Sequence, residues 1–218
     1  MTTGTFDQIT QDDLRAAGSL KWTNFPDMIG AFVAEMDFGL APAINSAVKD
    51  ALDLGVTGYL PEKLAKDLSQ ATARWYSDSY GWEISPERVH HVPDVIAAFE
   101  LAIEHFTTPG SAIIVPTPAY MPFLLVPPMH DRRVIEVPSI EVDGRWVMDL
   151  DAVAQAFRDG GEMLVLCNPH NPLGTVATRD ELLAIASVVT DAGGRVFSDE
   201  IHAVSYTHLR AHETSLHL

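Results

Sequence analysis

Apolar and polar positions along this chain repeat at two periods, and the two kinds of segment take turns. Residues 43–54 carry apolar side chains at helical spacing and stop at Gly55. Residues 61–80 predict a second amphipathic helix, with Leu64, Leu68, Ala71 and Trp75 on one face and Gly81 past its end. Residues 89–92 predict a short strand, and 94–106 a helix that is apolar nearly all round and therefore buried. The runs 112–115, 134–137, 163–167 and 195–198 predict buried strands. Between them, 150–158 is helical. Residues 178–192 predict a helix capped by Thr178, with Glu181 three residues on to complete a capping box. Strands alternating with helices give a mostly parallel sheet joined by right-handed crossovers, an α/β fold of three layers, αβα. Residues 1–33 show no such period and read as an arm carrying Trp22, Phe25 and Pro26.

Composition narrows the functions open to this fold. The chain has 218 residues, 47% hydrophobic and 20% charged, which suits a globular protein with a substantial core. Fourteen Lys and Arg face thirty Asp and Glu, a formal charge of −16 that argues against nucleic acid and against an anionic membrane surface as partners. The single Cys167 leaves no intrachain disulfide framework, so a reducing cytoplasm is expected. No apolar run is long enough to span a membrane, and the first residues lack a signal-peptide layout.

The candidate chemistry lies just past the strands. Asn168-Pro169-His170-Asn171-Pro172-Leu173-Gly174 follows one apolar run, and Ser198-Asp199-Glu200-Ile201-His202 follows another. Both fall at carboxyl ends of strands, where open α/β sheets bind cofactors. A carboxylate there can hold a proton on a pyridine nitrogen, and an amide can donate to a phenolic oxygen. Pyridoxal phosphate needs both. Asp199 is the candidate carboxylate, or else a strand-end loop former. Asn171 and His202 are candidates for the cofactor's 3′-oxygen, or else a turn residue and an ordinary half-buried histidine. Asp94, Val95 and Ile96 follow a predicted strand and open a helix, where backbone N–H groups can hold a phosphate. Asp94, as the cap, would compete for the same donors. Tyr120, after Pro116-Thr117-Pro118-Ala119, is placed to stack on a ring, or else is a core tyrosine.

From residue 203 the texture changes. Ser205-Tyr206-Thr207-His208-Leu209-Arg210-Ala211-His212-Glu213-Thr214 resembles the translation of a transposon-end adapter, so 203–218 is expected to be non-native. His208 and His212 stand four apart, but two imidazoles make no metal site, and no metal is expected. The division expected is 1–40 as arm and small-domain segment, 41–202 as a partial large domain, and the tail.

The order of motifs carries a resemblance. Ala34-Glu35-Met36-Asp37-Phe38, Gly58-Tyr59, Pro93-Asp94-Val95-Ile96, Pro116-Thr117-Pro118-Ala119-Tyr120, Cys167-Asn168-Pro169-His170-Asn171-Pro172 and Ser198-Asp199-Glu200-Ile201-His202 together resemble the fold-type I aminotransferase superfamily. Within it they are most similar to the PatB-like carbon–sulfur lyases, the bacterial cystathionine β-lyases. The resemblance covers about residues 20–202, roughly the first half of such an enzyme, so the chain is expected to be an amino-terminal fragment. It implies a phosphate held by the backbone of Asp94, Val95 and Ile96, and Tyr120 stacked on the ring. Asn171 and His202 would face the 3′-oxygen, and Asp199 the ring nitrogen. Tyr59 would reach the phosphate of the neighbouring subunit, which implies a homodimer. Asp94 stands where the family usually has a small neutral residue, and Leu173 where it usually has Thr or a small one. The family's Schiff-base lysine lies downstream of the Asp-Glu-Ile-His motif. This chain has only Lys21, Lys49, Lys63 and Lys66, so as written it is expected to be inactive, to expose apolar surface and to be poorly soluble. The activity implied for the parent is β-elimination from a sulfur-containing amino acid, cystathionine or a cysteine S-conjugate, to a thiol, pyruvate and ammonia. An aminotransferase of the same superfamily, or a non-catalytic cofactor- or effector-binding module, are the alternatives.

Overall fold

The computed structural model describes residues 8–205. The tail that carries His208 and His212 lies outside them. The chain divides into two units, 1–60 and 61–218.

The first unit is more regular than its lack of period suggests. Thr10 and Asp13 form a capping box that starts α1 (Gln11–Ala17), and Gly18, at φ 77°, ends it in the left-handed region. Helix α2 (Leu20–Thr23) follows. The expected irregular arm therefore holds two helices, signalled by their caps rather than by an apolar stripe. Trp22 is buried, and its indole N–H donates to Asp37 Oδ1 at 2.8 Å. Lys21 Nζ donates to Asp37 Oδ2 at 2.8 Å. The hydrogen bonds from Lys21 and then Trp22 hold the Asp37 carboxyl below the usual carboxylate range. In α3 (Pro42–Asp53) Ile44, Val48 and Leu52 are exposed, one stripe at i, i+4 and i+8.

The second unit begins with α4 (Glu62–Tyr80), closed by Gly81 at φ 64°. Its predicted apolar face is exposed at Leu64, Leu68 and Trp75, and the residue it buries is Ala73. Lys63–Asp67 and Lys66–Glu62 are paired along its surface. The strand predicted at 89–92 does not form. A 3₁₀ turn (Pro86–Arg88) precedes it, Ser69 Oγ takes the Val89 carbonyl at 3.3 Å, and Pro93 brings no N–H to a ladder.

Asp94 caps α5 (Val95–Phe106), which leads into β1 (Ala112–Thr117). Helix α6 (Pro122–Met129) escapes prediction because Pro127 and Pro128 lie inside it. Then come β2 (Arg133–Pro138) and a hairpin of β3 (Ile140–Val142) and β4 (Arg145–Val147). Asp143 and Gly144 make its turn, both at positive φ. That Asp-Gly pair is the sequence mark of a two-residue hairpin. The rest is α7 (Leu150–Arg158), β5 (Gly161–Cys167), α8 (Arg179–Asp191), β6 (Arg195–Asp199) and a 3₁₀ turn (Ile201–Ser205). The Thr178–Glu181 capping box of α8 is present.

Four strands form one sheet in the order β2-β1-β5-β6, all parallel. Strands β2 and β6 lie at its edges and are only partly covered, so 134–137 and 195–198 are not the buried strands expected. Strand alternation sorts the core into two layers. Ile114, Leu164 and Leu166 face α7 and α8, where Val153, Phe157, Leu182 and Ile185 pack. Ile113, Val115, Met163, Val165 and Cys167 face α5 and α6, against Phe99, Ile103, Phe123 and Val126. The three-layer α/β architecture is as expected. Arg132 is buried and donates to the carbonyls of Ile103 and Thr107, tying down the end of α5. From β1 the chain goes to β2 on one side and then crosses to β5 on the other. The carboxyl ends of β1 and β5 are thus the switch point of the sheet, where open α/β sheets bind ligands.

Candidate active site

Two loops and one strand end meet at this edge. Past β5 the loop is set by its own backbone: His170 N–H donates to Thr175 O and Gly174 N–H to His170 O, each at 2.8 Å. Asn168 locks the loop from below. Its N–H donates to Asp199 O at 2.9 Å, and its Oδ1 accepts from Ala177 N–H at 3.0 Å. Asn168 is 2% exposed, and its Nδ2 has no acceptor among the described residues.

Asp199 ends β6 in register with Cys167. It is 4% exposed. Oδ1 accepts from Ile201 N–H at 2.9 Å, and Oδ2 lies 3.9 Å from the Cys167 sulfur. A carboxylate so buried is costly unless a cation or strong donors meet it. Cys167 is buried beside it. Burial first, and then the Asp199 charge, push its thiol up to about 11, against the opposing N–H of Asn171. Burial also holds His170 below the usual imidazole range, so its ring is neutral near pH 7.

Tyr120 packs edge-on against Phe123, with ring centres 5.6 Å apart. Tyr120 and Asn171 line one narrow crevice, together with Ala119, Met148, Cys167 and His170. Its described lining contains no lysine. On the α7–α8 side a wider hollow opens between the hairpin and α8. Arg145 crosses it to pair with Glu181 and the Val176 carbonyl. Burial raises the Glu181 carboxyl, but the Thr178 N–H and Arg145 outweigh it and hold the group below its ordinary value.

At the start of α5, Asp94 Oδ1 accepts from Ala97 N–H at 2.8 Å. Asp94 is exposed, while Val95 and Ile96 are half-buried in the first turn. A helix start leaves the N–H groups of that turn without intrahelical partners, so those of Val95 and Ile96 remain to meet an anion. Tyr59, in the first unit, is fully exposed. His202 is exposed on the 3₁₀ turn, not the ordinary half-buried histidine of the alternative reading, and lines neither of these two concavities. The structure thus brings Tyr120 and Asn171 to one crevice and Asp199 against a residue of its wall. Cys167, Asn168 and His170 enter the site without having been assigned a role from sequence. The signal for Cys167 is strand parity, since it shares the face of Met163 and Val165.

Residues 27–215 match the family model for aminotransferase class I and II. The chain is 42% identical over 193 residues to cystathionine beta-lyase of Corynebacterium glutamicum, covering 88% of this chain and 50% of that protein. It is 34% identical over 193 residues to cystathionine beta-lyase PatB of Bacillus subtilis, covering 85% and 49%. The crystal structure of cystalysin from Treponema denticola, which contains pyridoxal 5′-phosphate, superposes with a TM-score of 0.82 at 29% identity, over 93% of this chain and 54% of that one. The chain spans about half the length of the curated relatives it matches.

Proposed function

From its membership of the aminotransferase class I and II family, to which this chain belongs, we propose that it is the amino-terminal half of a pyridoxal-phosphate-dependent carbon–sulfur β-lyase. The reaction is elimination from cystathionine or a cysteine S-conjugate, giving a thiol, pyruvate and ammonia. The buried carboxylate of Asp199 at the switch edge of the sheet is the observation that carries the cofactor. The similarity to cystathionine β-lyases supports the reaction class.

The residues present fit the cofactor at its ring end. Asp199 offers a desolvated negative charge to a protonated ring nitrogen. Tyr120 offers an aromatic face and Asn171 a side-chain N–H for the 3′-oxygen, both at the same crevice. His202 is the second donor for that oxygen. Val95 and Ile96 supply backbone N–H groups to the phosphate, with Asp94 capping the same turn. When bound, pyridoxal phosphate supplies an electron sink for the charge left at the substrate Cα. Asp199 sustains that sink by keeping the ring nitrogen protonated. Tyr120 covers one ring face and excludes water from it.

The lysine that binds the cofactor and takes the Cα proton, and the arginines for phosphate and substrate carboxylate, belong to the half that follows. The 218-residue chain is accordingly inactive alone. The working form is a cytoplasmic homodimer in which Tyr59 reaches the neighbouring subunit's phosphate. Among the described residues no helix is long and apolar enough to cross a membrane. The test is pyruvate release from cystathionine by the full-length gene product. Release without a keto-acid acceptor supports the lyase, and turnover only with an acceptor replaces it by an aminotransferase.

A further inference from the structure

Cys167 sits among the groups assigned above to the cofactor, and that assignment gives it no task. Its sulfur lies between the loop past β5 and the Asp199 carboxylate. The thiol can donate to Pro169 O at 3.4 Å, in the loop that carries Asn171, or toward Asp199 Oδ2 at 3.9 Å. Pro169 and Asn171 belong to the loop past β5, and Asp199 ends β6. The β5–β6 ladder fixes the two backbones against each other. It fixes neither the rotation of the Asp199 carboxylate nor the height of the loop.

We propose that Cys167 is a positioning residue, whose uncharged thiol ties the Asn171 loop to the Asp199 carboxylate and so sets both against the cofactor ring. The inference rests on the pyridoxal phosphate reading above. A thiol suits the place. It is small and apolar enough for the layer it shares with Val165 and Phe123, yet it is a weak donor and acceptor at once. Pushed up to about 11, it keeps its proton at neutral pH, and Asp199 is spared a second negative charge at its side. With Ile201 N–H on Oδ1 and the thiol toward Oδ2, each carboxylate oxygen has a donor on its own side. The carboxylate is then held in one plane before any ring arrives.

Spectroscopic titration of the cofactor-free full-length protein with pyridoxal phosphate tests this in the unsubstituted form, in Cys167→Val and in Cys167→Ser. Valine fills the space without a polar atom, and serine keeps a donor and an acceptor. Cys167→Val is expected to bind roughly 3- to 10-fold more weakly, and Cys167→Ser within about twofold of the unsubstituted protein. Equal binding by Cys167→Val overturns the role, and so does an equal loss in Cys167→Ser, which would make the effect one of packing. An unsubstituted protein that takes up no pyridoxal phosphate overturns the cofactor reading beneath it. A second measurement leaves Cys167 in place. Labelling of Cys167 by iodoacetamide, followed by peptide mass spectrometry, is expected to run several-fold faster in Asp199→Asn, because loss of the neighbouring charge lowers the thiol's pKa. Unchanged labelling overturns the contact.

Discussion

Two carboxylates mark the two ends of the proposed cofactor site, and they are held in opposite ways. Asp199 is buried at a strand end, with donors from Ile201 and Cys167 and no cation in contact among the described residues. Asp94 is exposed at a helix start, where it takes the Ala97 N–H for itself. The first is a charge kept out of water at a cost that a cationic partner would offset. The second is already satisfied, and it stands where an incoming anion needs the same donors. On the proposed reading, the site is built for the ring of the cofactor more firmly than for the phosphate.

The largest effect expected from breaking this contrast is at Asp199. Asp199→Asn in the full-length protein keeps the shape and removes the charge, and should lower the rate of pyruvate release by on the order of 10²- to 10³-fold. Steady-state kinetics with cystathionine measures it. Next is the scaffold that holds Asp199 opposite Cys167. Leu164 lies fully buried in β5, so Leu164→Ala should cost about 2–5 kcal/mol in urea unfolding. At the other end the sign reverses. Asp94→Ser keeps an oxygen for the cap and removes the repulsion, and should tighten pyridoxal phosphate binding by about 2- to 5-fold. Tighter binding by Asp94 itself would show that the carboxylate is part of the phosphate site rather than its competitor. The smallest effect lies away from both ends. Glu181 is held below its ordinary value of 4.5 in the folded protein, so its contribution to stability is full above that value and is lost as pH falls through the depressed one. Glu181→Gln should flatten the acid limb of stability below about pH 4.5 and leave the neutral region nearly unchanged, as read from unfolding midpoints against pH.

The sheet was legible because burial on both faces leaves continuous apolar runs. Residues 112–115 and 163–167 need only their own sequence to be recognised. The caps at Thr178 and Glu181 were equally readable, since the pattern is local. Failures came where the deciding interaction is remote or a local rule is overridden. Residues 89–92 have strand-like composition, but no strand among the described residues pairs with them and Pro93 ends the run. Helix α6 forms through two prolines because Phe123 and Val126 bury against α5 and β1. The hairpin was written in Asp143-Gly144, a two-residue signal too short to stand out without the strands beside it. At the candidate site, the motifs single out Tyr120 and Asn171, which share one crevice, and Asp199, which lies beside Cys167 of its wall. The contacts of Cys167 depend on β5–β6 register, which no single segment encodes.

The central claim is that Asp199 keeps the pyridine nitrogen of the cofactor protonated. Nitrogen-15 NMR of the full-length protein loaded with ring-labelled pyridoxal phosphate reads that proton directly. A protonated-ring shift that persists through neutral pH, and reverts to the unprotonated value in Asp199→Asn, is the predicted result. An unprotonated ring in the unsubstituted protein, or a shift that Asp199→Asn leaves in place, would contradict it.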